Sequence, residues 1–269
     1  MKITIVTGSR ADFGLLEWPI KTLQEDAFFE GQILRIWGAD FDTAFRACTD
    51  SFSAERPDVM LCLGDRFEIL AAATAAHLLR VPIAHIGGGD VTEGSYDDAM
   101  RDCISRMATV HFVTSTSAMA RLSHMGLRNV HLVGNPGIDY IRRSAWKAER
   151  PIDGPYVVVA YYPETLDGTV DLAAVSEAVA GRKAVWIAPN KDRGSELIPA
   201  TATYPHAEFL NLLAHCEEFI GNSSAMLYEA PELGIKTRMI GKRQRGRTLP
   251  WGDGNASERI ANTLKHIAL

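Results

Sequence analysis

Cysteine is scarce in this chain, and what there is lies scattered: Cys48, Cys62, Cys103 and Cys216. No pair has the close spacing of a zinc knuckle or a dithiol redox motif, and 269 residues can bury a core without disulfide staples. The four are read as reduced thiols, in the core or on the surface. Long apolar runs are also missing. The longest, Ile69 to Leu79, is too short to span a bilayer, which argues against a membrane partner. The chain starts MKITIVTG, a first strand in pattern and not a secretory leader, so the expected location is the cytoplasm. Positive charge is not in excess, and the formal net charge is -5. A nucleic-acid partner calls for a basic face, so that class is disfavoured. A phosphorylated small molecule, which needs only a few local arginines, is not. No internal repeat or low-complexity tract is present.

What is present is ordinary in amount, 46% hydrophobic and 23% charged, and informative in its order. Short apolar runs rich in Val and Ile fall at 2–7, 32–37, 59–63, 83–86, 110–114 and 130–133. After a break they resume at 156–161, 184–188, 218–220 and 237–240. Helical patterns lie between them at 15–25, 68–79, 96–108, 115–125, 170–179 and 208–215. Strands buried on both faces read as continuous runs, and their alternation with helices implies parallel βαβ units, an α/β fold class. The stretch WKAERPIDGP, Trp146 to Pro155, interrupts the rhythm as an interdomain linker does. The expected organisation is a first Rossmann-like domain over 1–147 and a second over 148–255. An amphipathic helix over 256–269 would pack back on the first.

Ligands of open parallel sheets bind where strands run into helix N-termini, and those loops hold the unusual chemistry here. After the first strand, GSRADFG offers a tight turn at Gly8, capping groups in Ser9 and Asp12, and a positive charge in Arg10, a set suited to a phosphate. It is neither a Walker A loop nor a GxGxxG fingerprint. After the third strand, GDRFE delivers Asp65 and Arg66 together, for a substrate or as an internal salt bridge; taken alone, the salt bridge has the better claim. After the fourth, HIGGGDVTEGSYDD places three glycines where a ligand could approach the backbone, then Asp90, Glu93, Asp97 and Asp98. Asp97 and Asp98 are also ordinary first-turn acids, with Arg101 at i+4 from Asp97. His85 is a strand-end histidine that reads equally as a hydrogen-bonded core residue, and a His85/Asp90 metal site would need further ligands that cannot be identified. In the second half, APNKDRGS follows a strand with turn residues and charge. In IGNSSAMLYEAPELG, Ser223 and Ser224 open a helix towards a pyrophosphate, or simply cap it, and Glu229 lies about one and a half turns on. GKRQRGR, Gly241 to Arg247, is a basic run, either a solvated face or an anion site.

Together these strings, with PDVMLCLGDRFE, VGNPGID, PET and EFLNLLAHCEEF, resemble the UDP-N-acetylglucosamine 2-epimerase family, especially its hydrolysing, sialic-acid-pathway branch; they stand in family order and cover most of the chain. The resemblance implies a GT-B-like architecture, with two Rossmann-like domains facing across a cleft. It implies a UDP-sugar substrate such as UDP-GlcNAc, homodimerisation, and neither metal nor redox cofactor. Arg10 and Asp12 would sit at the cleft with Arg10 near the diphosphate, and Arg66 would also bind substrate. Asn190 and Asp192 would lie near nucleotide and sugar. Ser223 and Ser224 would bind the diphosphate, Glu229 the ribose, and Arg247 the substrate region. Asp65, Asp90, and Asp97 or Asp98 match the family's acidic catalytic positions, and His85 its strand-end histidine. The family reaction removes the C2 proton while UDP departs from C1, and water then adds to the 2-acetamidoglucal.

Three departures accompany the resemblance. Tyr162, in YYPET, stands where the family has a histidine, and tyrosine carries no positive charge. Asp90 replaces a glutamate and reaches one methylene less far. The chain is also short, chiefly between Trp37 and Phe52 and in the second domain. The other readings are a GT-B glycosyltransferase sharing the pyrophosphate site, and a catalytically degenerate nucleotide-sugar-binding protein, which Tyr162 favours.

Overall fold

The structure is a computed structural model, and it describes every residue except 145, 165, 190–193, 200, 201 and 269. Its residues group into two units. The first contains Met1–Val91, Asp97–Arg143 and Pro250–Leu269; the second contains Thr92–Tyr96 and Ser144–Leu249.

In the first unit the run ITIVT forms a strand, β1 (Lys2–Thr7), whose residues after Lys2 are all buried, as a central parallel strand requires. It is joined by β2 (Glu30–Arg35), β3 (Val59–Leu63), β4 (Ile83–Ile86), β5 (Val110–Val113) and β6 (Val130–Leu132), all parallel, in the order β2-β1-β3-β4-β5-β6. The connecting helices are α1 (Arg10–Glu25), α2 (Phe41–Ala54), α3 (Phe67–Leu78), α4 (Asp98–Met107), α5 (Thr116–His124) and α6 (Pro136–Arg143). Alternate strand residues serve opposite faces. Ile3, Ile5, Leu61 and Phe112 meet Leu16, Ile20 and Leu23 of α1 on one face. Val6, Met60 and Cys62 meet Cys48 and Phe52 of α2 and Ile69 of α3 on the other. Burial pushes the Cys48 thiol up to about 12. Cys48, Cys62 and Cys216 are buried free thiols, and Cys103 is free and exposed.

In the second unit β7 (Val157–Ala160), β8 (Ala184–Trp186), β9 (Glu218–Gly221) and β10 (Thr237–Met239) form a parallel sheet ordered β10-β9-β7-β8, flanked by α7 (Leu172–Val179), α8 (His206–His215) and α9 (Ala225–Glu232). The chain then returns to the first unit as α10 (Ala256–His266), whose Ile260, Ala261 and Leu264 complete the core under α1. Asp139 of α6 accepts from the backbone N–H of Ala256 (3.1 Å) and Ser257 (2.6 Å) and from the Ser257 hydroxyl (2.7 Å), satisfying donors that a helix start leaves unpaired.

Among the elements that depart from the sequence pattern are α2 and β2. Helix α2, FDTAFRACTDSFSA, is rich in residues of modest helix propensity and was not expected; Asp40 caps it, its Oδ1 accepting from Thr43 N at 2.8 Å. Strand β2 ends at Arg35 and leaves Trp37 outside. It is an edge strand with both faces largely exposed, so hydrophobicity marks its ends poorly.

Candidate active site

The loops after β3 and β4, with the first turn of α4, bring Asp65, Asp90 and Asp98 onto one side chain, Arg101. This residue is 2% exposed. Its guanidinium pairs with Asp65 and with Asp98, and donates to the backbone carbonyl of Asp90 at 2.7 Å. Helix α4 fixes the arrangement, because Asp98 and Arg101 lie three residues apart on its face. Asp97 is the half-buried N-cap of the same helix. The Asp90 carboxylate accepts from the Thr114 hydroxyl at 2.9 and 3.2 Å.

Arg66 pairs with Glu68, its Nε and Nη2 each 3.1 Å from one carboxylate oxygen, and Asp65 pairs with Arg101. The physical reason is direction: Asp65 lies before the start of α3 and faces α4, whereas Glu68 lies in the first turn of α3. Likewise the guanidinium that i+4 spacing offered to Asp97 is engaged by Asp98 and by Asp65 of another loop.

His85 is fully buried, and burial pushes it down to about 4. The neutral ring donates from Nε2 to the Gly64 carbonyl (2.8 Å) and accepts at Nδ1 from the Ser105 hydroxyl (3.1 Å). Both nitrogens serve the protein, so His85 holds the β3 loop against α4 and has no ring nitrogen left for a ligand. The three glycines after it also do different work from that expected. A Cβ at Gly88 would come 2.7 Å from Ser105 Oγ, and one at Gly89 2.5 Å from the Ala118 carbonyl. The close approach they permit is therefore to α4 and α5, while a Cβ at Gly87 would lie 4.0 Å from Asp90 Oδ2.

Arg10 is exposed at the start of α1, capped by Ser9, whose Oγ accepts from Asp12 N at 3.2 Å. Asp12 itself is 9% exposed, with Oδ2 buried and accepting no hydrogen bond. Burial, helped by the charges of Asp65 and Glu68, pushes it up to about 7.

In the second unit, Asn222 directly follows β9 and is fully buried. Its amide clamps Tyr162, accepting from the Tyr162 N–H and donating to the Tyr162 carbonyl, both at 2.8 Å. Ser223 and Ser224 are half-buried at the start of α9. Ser224 makes no side-chain cap bond, its hydroxyl lying 3.2 Å from the Tyr228 hydroxyl; Ser223 Oγ accepts from Ala225 N at 3.3 Å. Glu229, expected at a ribose, is 5% exposed and its Oε1 lies 2.7 Å from His206 Nε2. Sequence reading missed His206, which stands 23 residues away. The basic run is engaged internally. Arg243 stacks 5.4 Å from the Tyr162 ring centroid and donates to Pro163 O at 2.7 Å, Gln244 donates to Asn222 O at 2.8 Å, and Arg247 to Gln244 at 3.2 Å. Tyr162 therefore brings a cation to its position although it carries none. The expected Asn190 and Asp192 lie outside the described residues.

Among the described residues no group of three or more His, Cys, Asp or Glu could hold a metal ion, and no helix is long and apolar enough to cross a membrane.

Two parallel sheets flanked by helices make this a GT-B-like protein. A UDP-GlcNAc 2-epimerase from Methanocaldococcus jannaschii, solved with UDP-GlcNAc and UDP, shares the fold with a TM-score of 0.82 at 16% identity, over 99% of this chain and 100% of that one. The family pattern of UDP-N-acetylglucosamine 2-epimerase matches residues 41–249, and the chain belongs to that family. Similar proteins include a UDP-N,N'-diacetylbacillosamine 2-epimerase (hydrolyzing) of Legionella pneumophila, 27% identical over 90% of this chain and 81% of that protein. Another is polysialic acid biosynthesis protein P7 of Escherichia coli, 26% identical over 91% and 80%.

Proposed function

We propose that this chain is a hydrolysing 2-epimerase of a UDP-linked 2-acetamido sugar, converting UDP-GlcNAc and water to ManNAc and UDP. The observation that carries the reading is the carboxylate cluster gathered by buried Arg101. Three acid-bearing positions from two strand-to-helix connections are held together, which abstraction of a C–H proton and its replacement require. One carboxylate among Asp65, Asp90, Asp97 and Asp98 takes the C2 proton. The electron pair forms the C1–C2 double bond, and the C1–O bond breaks with its pair going to UDP. Water then gives hydroxyl to C1 and a proton is returned to C2 from the opposite face. Arg10, Ser223, Ser224 and Arg247 hold the diphosphate, where donors stabilise the charge that develops on the leaving group. Glu229 with Asn190 and Asp192 holds the rest of the nucleotide-sugar, and Arg66 and His85 keep the acid loops in place. The stacked Arg243 supports the view that Tyr162 leaves the site cationic.

The test is incubation with UDP-GlcNAc in deuterated water, followed by proton NMR. UDP together with ManNAc deuterated at C2 is the expected outcome. UDP with undeuterated GlcNAc would point to a transferase hydrolysing its donor instead, and binding without turnover to a nucleotide-sugar carrier. The name of the Legionella relative makes UDP-N,N'-diacetylbacillosamine the second substrate to try.

A further inference from the structure

At the ends of β1 and β3, Arg101 pairs with Asp65 and Asp98, and Arg66 with Glu68 through two contacts of 3.1 Å. Asp12, beside them, has no ion-pair partner among the described residues, and its Oδ2 accepts no hydrogen bond. The recess around that oxygen is tight. A Cβ at Gly8 would lie 3.3 Å from Asp12 Oδ2, from Glu68 Cβ and from Ile69 Cδ1. An ionised carboxylate with one oxygen stripped of water and unpaired is unfavourable, and taking up a proton relieves it.

We propose that Asp12 is a positioning residue that stores a proton at the start of α1, so that an anion bound at Gly8–Arg10 is taken up together with that proton. The proposal rests on the functional reading above, which places the diphosphate at Arg10. Four groups face Asp12. Asp65 and Glu68 favour the protonated form, Arg66 and the Ser9 hydroxyl the ionised one, and burial outweighs the latter pair, leaving the carboxyl at about 7. Ionised, Asp12 would set a negative charge in the first turn of α1 beside the arriving diphosphate, cancelling the attraction of the helix start and of Arg10. Protonated, it adds no repulsion and its O–H becomes a donor. Proton and anion therefore favour each other, and by reciprocity each raises the other's affinity by the same factor.

Carboxyl carbon NMR on the full chain reads this directly. The Asp12 resonance is assigned by its loss in Asp12→Asn and followed from about pH 5 to 9, free and with saturating UDP. The free-protein midpoint is expected near 7, moving up by roughly one unit with UDP, which corresponds to about tenfold tighter UDP binding by the protonated form. Between roughly pH 7.5 and 8.5, where the UDP diphosphate is already ionised and its uracil still neutral, wild-type affinity should fall with pH and that of Asp12→Asn stay level. A midpoint near the ordinary carboxylate range, or one that UDP leaves in place, overturns the proposal while UDP still binds. Failure of UDP to bind at any pH overturns the functional reading and the linkage together, so the two failures are told apart.

Discussion

Arg101 shows how one buried cation can organise a site. A guanidinium at 2% exposure is tolerated only when its forked donors are met, and here Asp65, Asp98 and the Asp90 carbonyl meet them. Removing it leaves two partly buried carboxylates repelling each other. Arg101→Met is expected to lose about 3–5 kcal/mol of stability in urea unfolding, the range for breaking a buried pair from one side. Arg101→Lys should keep more of the stability but lose most of kcat, because an ammonium cannot hold two loops in a planar fork. At this scale the sequence was partly legible. Asp65 and Asp90 stood out because they lie in loops after strand ends, and Asp98 because acids concentrate at that helix start. The partner of Asp65 did not, since 36 residues separate it from Arg101 and helical spacing suggested Asp97 instead. Glu229 and His206 were hidden in the same way, by a contact that only the packing of α8 on α9 creates.

Elements were more legible than contacts where strands are buried, and less so at edges. The bounds of β1, β3 and β4 follow the apolar runs, because central parallel strands must be apolar on both faces. Helix α2 escaped notice because its stability comes from Ala44, Cys48 and Phe52 packing on α3, and not from local propensity. The anchoring of α10 was equally invisible, since Asp139 lies 117 residues before the first amide it caps. Burial raises this carboxyl, and the hydrogen bonds from Ala256 and Ser257 oppose that rise. Asp139→Ala removes all three acceptor contacts and should cost about 1–3 kcal/mol, the penalty for leaving buried donors unmet. Hydrogen exchange should show faster exchange in α10 and along the facing turns of α1, with β7 and β9 of the second unit unchanged.

On the scale of the whole molecule, the residues proposed for function are divided between two units, acids on the first and the serine-started α9 on the second. If both contribute to one ligand, UDP should stabilise the chain as a whole. At about a hundred times its Kd, UDP adds about 2.7 kcal/mol, which for a chain of this size raises Tm by roughly 5–10 °C. The double replacement Ser223→Ala and Ser224→Ala should lose most of that rise, measured by differential scanning fluorimetry with and without UDP, while the unliganded Tm changes little. Lack of any rise in the wild-type protein would count against a UDP site. The α/β class and its two-part rhythm could be read from the spacing of apolar runs. The return of Pro250–Leu269 to the first unit rests on long-range packing, which no local pattern encodes.

That return has a consequence for how the chain is made. On the ribosome, α1 emerges early with Leu16, Ile20 and Leu23 facing the place that Ile260, Ala261 and Leu264 later fill. Everything in Ser144–Leu249 is synthesised in between. At ordinary elongation rates the delay is on the order of ten seconds or more. Through that interval the nascent first unit carries an uncovered greasy stripe, a substrate for holding chaperones, whereas the second unit has nearly all its chain in hand before α10 has been translated.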